Sequence, residues 1–284
     1  MIGQIILDGV VLGGIYALVS IGLTIIFGVM RIINFAHGEF LMLAMYATFW
    51  IFELFGLDPY VSVWLVAPIM FVAGVLAYRL ILHRIIDAPE LAHVFATLGL
   101  SIALQGLALF FWQADFRSVP TAYGSKLLTV SSVFVSLPRL VTLMAAVATV
   151  AGLSLFLRKT FTGKAIRAAA QDRVAAQLMG INLTHIYMIT FGLGTFTLGL
   201  AGAVLMPVYE VFPTIGGLFV LVTFVVVILG GLGSIAGALV GGLLIGLIES
   251  ISGFLLAPDL KEAVYFTMFV LILLFRPAGI FGRA

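Results

Sequence analysis

The sequence predicts an all-α fold: a polytopic transmembrane helical bundle of about nine spans. Three observations predict it. The chain is 63% hydrophobic, with a mean hydropathy of +1.27. Only 9% of its residues are charged, against about 25% in a soluble domain. Its apolar residues also fall into long runs, separated by short polar or glycine-rich breaks. A hydrocarbon core of about 30 Å takes roughly 20 apolar residues per helix, so spans consume nearly all of the 284 residues. One transmembrane domain therefore covers 1–284, and no separate catalytic domain fits in the remainder. Backbone groups in lipid must bond internally, and no alternating barrel strands are present, so the spans are helices.

The apolar runs lie at 5–27, 36–55, 61–82, 94–113, 137–157, 185–206, 217–232, 235–255 and 262–276. The first lacks a basic start and a small-residue cleavage site, which makes it a span and not a removable leader. The seventh is short and is parted from the eighth only by GGLGS at 230–234, read as a tight turn. Gly237-x-x-x-Gly241 and Gly242-x-x-x-Gly246 in the eighth are small-residue faces on which neighbouring backbones approach closely. Gly13-Gly14 and Gly199-x-x-Gly202 are read alike.

Lys and Arg positions set the orientation. With the N-terminus outside, the inner segments hold Arg31, Arg79, Arg84, Arg158, Lys159, Lys164, Arg167, Arg173, Arg276 and Arg283. The outer segments hold Arg117, Lys126, Arg139 and Lys261. The excess places the C-terminus in the cytoplasm. A net charge of +2 is too small to suggest nucleic acid, and the absence of cysteine excludes disulfides and thiolate metal sites. The four histidines are scattered; no metal site and no catalytic residue is proposed. The outer segment 114–136 is a solvated hairpin or a docking loop.

The loop at 157–185 is the long charge-rich stretch of the chain. Its centre is alanine-rich and free of proline, with Thr162 as N-cap and Gly180 and Asn182 as stop signals. Ile166, Ala170, Val174, Leu178 and Ile181 recur at helical spacing and form one apolar stripe. Lys164, Arg167, Gln171 and Asp172 lie elsewhere on the rod. Such a helix needs the lipid surface, the bundle or a groove in a partner to cover its stripe.

Three segments and the tail together resemble the LivH-type permeases of branched-chain amino acid ABC importers. They are GLTIIFGVMRIINFAHGEFLMLAMYA (22–47), GKAIRAAAQDRVAAQLMGIN (163–182), VVVILGGLGSIAGALVGGLLIGLIE (225–249) and the terminal FRPAGIFG (275–282). The resemblance implies a permease that pairs with a homologous LivM-type permease. It also implies two ATPase subunits on the cytoplasmic face and a periplasmic protein that delivers the solute. Residues 164–181 are then similar to the coupling helix that sits on the ATPase, with Lys164, Ile166, Arg167, Asp172, Arg173, Leu178 and Gly180 as coupling residues. Gly163-Lys164 is followed by Ala165, so the chain lacks the G-x-x-x-x-G-K-[ST] phosphate loop. It binds no cofactor, and ATP is used by the partners. Relative to the ten-helix permeases of the ribose and vitamin B12 importers, the first helix is missing.

Sliding the chain by 177 residues sets Gly22-Leu23 over Gly199-Leu200, Phe35 over Phe212 and Leu41 over Leu218. An inverted repeat of this kind is usual in transporters. The inner turn NFAHGE (34–39) then matches the outer turn EVFPTIGG (210–217), and each leads into a central helix whose N-terminus carries spare N–H donors. Asn34, His37, Glu39, Phe212 and Thr214 are the candidate residues of a translocation path. Asn34 and Glu39 also suit a plain helix start, as cap and first-turn acid. Glu249 lies within a span, where an acid suggests function, but near its outer end, where snorkelling or a hydrogen bond to a neighbouring helix accounts for it at least as well.

The expected function is translocation of a branched-chain amino acid across the bacterial inner membrane. Relatives of that class handle amides, urea or other amino acids. Rival readings are an ion-coupled secondary transporter working alone and an intramembrane enzyme; the enzyme needs a reactive constellation that the spans do not offer.

Overall fold

The structure, a computed structural model, describes residues 2–130, 133–256, 260–276 and 279–282. Helices and their turns follow the sequence reading closely: α1 (Ile2–Met30), α2 (His37–Phe55), α3 (Pro59–Leu80), α4 (Glu90–Trp112), α5 (Leu137–Lys159), α6 (Phe161–Gln171), α7 (Arg173–Leu178), α8 (Leu183–Leu205), α9 (Ile215–Gly230), α10 (Ile235–Leu255) and α11 (Lys261–Phe275). A short hairpin, β1 (Leu127–Val130) and β2 (Val133–Ser136), precedes α5. Among the described residues, seven helices are long and apolar enough to cross a membrane, and α9 is a shorter apolar helix. The chain is a multi-pass helical membrane protein.

Local signals mark several boundaries. Asp58 accepts from the Tyr60 amide at 2.8 Å, capping α3, whose Pro59 fills the first helical position. Ser234 accepts from the Gly237 amide at 3.0 Å and starts α10. The GGLGS turn holds Gly231 and Gly233 at φ +98° and +86°, where a side chain would be strained. The tail closes over this turn through Ile280 N to Leu229 O (2.8 Å) and Phe281 N to Gly230 O (3.2 Å).

α1 is the axis of the bundle. Apart from Tyr16, every residue from Gly13 to Ile26 is buried, as expected of a helix that is apolar on all sides. The heaviest packing joins α1 to α10 and α3 to α8. Glycines make both possible. A Cβ at Gly246 would strike the backbone of Gly13, and one at Gly242 would meet Ala17 of α1 at 2.6 Å. On another face of α10, Gly237 and Gly241 lie against Gly230 and Val226 of α9. The two small-residue faces read from the sequence thus serve two different neighbours. Gly199 meets Ala67 of α3, and Gly202 meets Ala44 of α2. The rim is different: α4 buries only His93, Thr97 and Ala108, and α11 only Tyr265. Phe95, Phe110, Phe111 and Trp64 stand exposed, apolar surface that suits lipid or a membrane partner.

The packing exchanges under the proposed repeat. Pairing α1–α4 with α8–α11 maps α1 on α10 to α8 on α3, and α1 on α9 to α8 on α2. It also maps α2 on α4 to α9 on α11. The directions are inverted. Gly194 lies by Ile26 and Thr197 by Gly22, so α8 runs antiparallel to α1. α2 follows α8, from His37 beside Gly22 to Ala44 beside Gly202. α9 runs the other way, from Gly216 beside Gly38 to the turn at Gly233 beside Gly28.

The segment 113–126 packs across the Ile2 end of the bundle. Arg117 exchanges backbone hydrogen bonds with Val211 (2.9 and 2.8 Å) and lies 5.4 Å from the rings of Phe49 and Trp50. Tyr123 donates its hydroxyl to the Asp58 carboxylate at 2.7 Å. Burial, and after it this bond, raises the phenol's pKa. The short hairpin, absent from an all-α reading, is held by Gln4, which bonds both the amide and the carbonyl of Phe134.

Candidate functional site

Residues 31–36 do not continue outward from α1; they fold back along it. His37 then meets α1 at mid-height, where its Nε2 donates to the Val19 carbonyl at 2.9 Å. Asn34, His37 and Glu39 stand at the start of the second span, but that start lies level with Val19 and not with the end of α1. The physical reason is that α1 extends to Met30, so the chain must climb back several turns before α2 begins. Asn34 does not cap α2 either. Its Oδ1 accepts from the Ala36 amide at 3.1 Å, closing a tight turn, and Ala36 holds the N-cap position without a side-chain bond.

Segment 206–214 makes the reverse excursion from the Ile2 end. The two helix starts meet: a Cβ on Gly38 would land on the carbonyl of Gly216, and one on Gly216 would lie 2.6 Å from the carbonyl of Gly38. Each helix start carries about half a positive charge, so two of them in a buried position repel. Glu39 answers this. It is buried in the first turn of α2, and its Oε2 lies 2.7 Å from where a Cβ of Gly216 would stand. Its Oε1 accepts from Ser101 of α4 at 3.1 Å. Among the described residues, Oε2 has no hydrogen-bond partner, nor do Asn34 Nδ2 and His37 Nδ1, all three buried. Phe212 and Thr214 approach from the other side. Phe212 lies 4.7 Å from the Phe116 ring, and Thr214 is exposed beside the start of α9. Ser101 was not singled out in the sequence; a serine in a span carries no signal until its neighbour is known.

The loop differs from the single rod predicted for it. Thr160, not Thr162, caps α6, accepting from Gly163 N at 2.9 Å. The helix then breaks at Asp172, whose extended backbone (φ −149°, ψ 113°) restarts it as α7. Asp172 Oδ1 accepts from Val174 N and Ala175 N at 2.8 and 3.0 Å. An aspartate offered two free amides competes with helix continuation, and here it wins. The apolar stripe is consequently split. Ile166 is buried against the bundle, while Val174, Leu178 and Met179 are exposed together with Phe161. Lys164, Arg167 and Asp172 are exposed. Gly180 ends α7 at φ +80°, and Asn182 caps α8 through the His185 amide.

Arg173 turns inward. Its guanidinium donates to the carbonyl of Met30 at 2.5 Å and lies 5.5 Å over the Tyr187 ring. The loop is thereby fastened to the last residue of α1, just before the segment that climbs to the Asn34–Glu39 turn. Arg31 follows in a left-handed conformation (φ 57°), a strained state for a non-glycine residue.

With an inverted bundle, opposed helix starts and a loop tied to the central helix in place, comparison with known proteins is decisive. A family model described as branched-chain amino acid transport system / permease component matches residues 5–273. The chain belongs to this family. It is 33% identical to the high-affinity branched-chain amino acid transport system permease protein LivH of Salmonella typhimurium, over 99% of this chain and 95% of that one. It is 32% identical to BraD of Pseudomonas aeruginosa, with the same coverage. A probable LivH of the archaeon Methanocaldococcus jannaschii is 28% identical over 98% of this chain and 92% of that one. No solved structure matches.

Proposed function

We propose that this chain is one of two membrane-spanning permease subunits of an ABC importer for branched-chain amino acids. It crosses the bacterial inner membrane nine times, α9 and α11 included, with the N-terminus outside and the C-terminus in the cytoplasm. Its partners are a homologous LivM-type permease, two ATPase subunits and a periplasmic solute-binding protein. ATP is hydrolysed by the ATPase subunits, since Gly163-Lys164-Ala165 is no phosphate loop.

The observation that carries this reading is the face presented by α6 and α7. Phe161 (88% exposed), Leu178 (83%) and, just after α7, Met179 (82%) are exposed, as are Lys164 and Arg167. Large exposed apolar side chains on short charged helices suit a groove in a partner protein. Arg173 links that face to α1, so a shift of the docked loop moves the end of the central helix. Asn34, His37, Glu39, Phe212 and Thr214 lie where the two half-helices meet, and they form the gate that opens when α1 moves. The alternative solute, within the same ABC class and by the same mechanism, is an amide, urea or another amino acid.

The test is assembly. The ATPase subunits encoded with this chain are expected to co-purify with it, and Leu178→Glu is expected to weaken their association by about 30-fold, the loss of one hot-spot contact of roughly 2 kcal/mol. Retention of the ATPases by the variant at wild-type affinity removes the docking role of the loop. Solute uptake by the chain alone in proteoliposomes, driven by an ion gradient, replaces the importer with a secondary transporter.

A further inference from the structure

A cavity of about 510 Å³ opens toward the Ile2 end of the bundle, between α1, α9, α10 and α11 and the start of α5. It is unlike an ordinary packing defect in two ways. Its inner wall is aliphatic and aromatic: Leu12, Ile15, Leu218, Phe219 and Val222. Its rim carries both signs of charge, with Asp8, Glu249 and Glu262 facing Arg139 and Lys261.

These charges are not equivalent. Glu249 is saturated: its Oε2 accepts from the Tyr16 hydroxyl at 2.6 Å and its Oε1 from Lys261 Nζ at 2.9 Å. Asp8 accepts twice from Gln4 Nε2 at 3.0 Å. Among the described residues, Arg139 and Glu262 have no ion-pair or hydrogen-bond partner. One free guanidinium and one free carboxylate thus border a cavity whose wall is apolar. The size falls within the range of small-molecule pockets, about 300–1,000 Å³, and such pockets pair apolar walls with a few placed polar groups.

We propose that this cavity is a binding site for a free aliphatic α-amino acid. Arg139 takes the carboxylate, in the bidentate manner a guanidinium allows. Glu262 takes the ammonium, and the side chain lies on Ile15, Phe219 and Val222. The fixed carboxylates of Asp8 and Glu249 exclude acidic amino acids, because a second negative charge there meets like charge. The site deepens the importer reading, on which it rests for the identity of the solute. Its lining includes Leu218 and Phe219 at the start of α9 but neither Gly38 nor Gly216, so it is a place of first lodging beside the gate and not the gate itself.

The full chain in phosphatidylcholine nanodiscs, without ATPase subunits, tests it through saturation-transfer NMR with L-leucine. Leucine is expected to bind and L-aspartate to fail as a competitor. Arg139→Gln and Glu262→Gln are each expected to weaken leucine binding by about tenfold or more, the loss of one charge-assisted contact. Both residues are exposed, so thermal melting of the variants is expected to match the wild type, and Lys126→Gln on the outer segment is expected to bind normally. Leucine binding unaffected by both substitutions places the solute elsewhere and overturns the site, leaving the importer reading intact. No binding by the wild type up to the solubility limit of leucine also overturns it. Loss of leucine binding when phosphatidylethanolamine replaces phosphatidylcholine assigns the cavity to a lipid headgroup instead.

Discussion

Arg173→Ala is expected to leave the permease folded and docked to its ATPases while cutting solute uptake by tenfold or more, so that ATP turnover continues without matching transport. The guanidinium bonds the Met30 carbonyl and covers the Tyr187 ring. A charged hydrogen bond contributes about 1.5–3 kcal/mol and a cation–π contact about 0.5–2 kcal/mol. The hydrogen bond alone is enough to account for a tenfold change, since that is about 1.4 kcal/mol. Neither contact lies in the interior of a span, and the exposed face of Phe161, Leu178 and Met179 is untouched. The measurement is the ratio of leucine uptake to ATP hydrolysis in proteoliposomes holding the whole importer. A variant ratio equal to that of the wild type means that the loop acts on the bundle by another route.

Gly38→Val is expected to have the largest effect on stability, about 3 kcal/mol, the upper end for overpacking a buried site. Its Cβ would occupy the position of the Gly216 carbonyl. Relief requires separating the starts of α2 and α9, and that pulls Glu39 away from the helix end it offsets. Backbone is struck, so no side-chain rotation relieves the clash. Thermal unfolding in detergent checks this. Gly217→Val is the control, because a Cβ at Gly217 meets nothing within 4 Å. If both variants unfold together with the wild type, the half-helices do not meet as described.

The sequence reading placed the helices within a few residues, because length and hydropathy decide what crosses lipid and glycine patterns decide where helices touch. Gly242 and Gly246 of α10, which pack against α1, and Gly237 and Gly241, which pack against α9, were visible as two small-residue faces before any partner was known. The sequence also suggested the pairing of α1–α4 with α8–α11, through Gly22 over Gly199 and Phe35 over Phe212. The loop was legible as a helix-forming, basic stretch, though not as two helices. A sequence pattern scores Asp172 as one polar residue on a rod; it does not show that its carboxylate captures the amides of Val174 and Ala175. Depth was the other gap. His37 and Glu39 follow the arginine that ends α1, so charge bias put them at the membrane surface, whereas the chain folds back to Val19.

By itself, then, the amino-acid sequence determined that this protein lives in lipid as a glycine-packed helical bundle of the permease family. These are properties of composition and local spacing, which each segment carries alone. Only the tertiary structure decided that two helix starts from distant segments meet inside the bundle with Glu39 between them. It also decided that Arg173 ties the loop to α1, and that Arg139 and Glu262 border one cavity. Such contacts join residues far apart in the chain, and their positions follow from how the helices pack, which no single segment encodes.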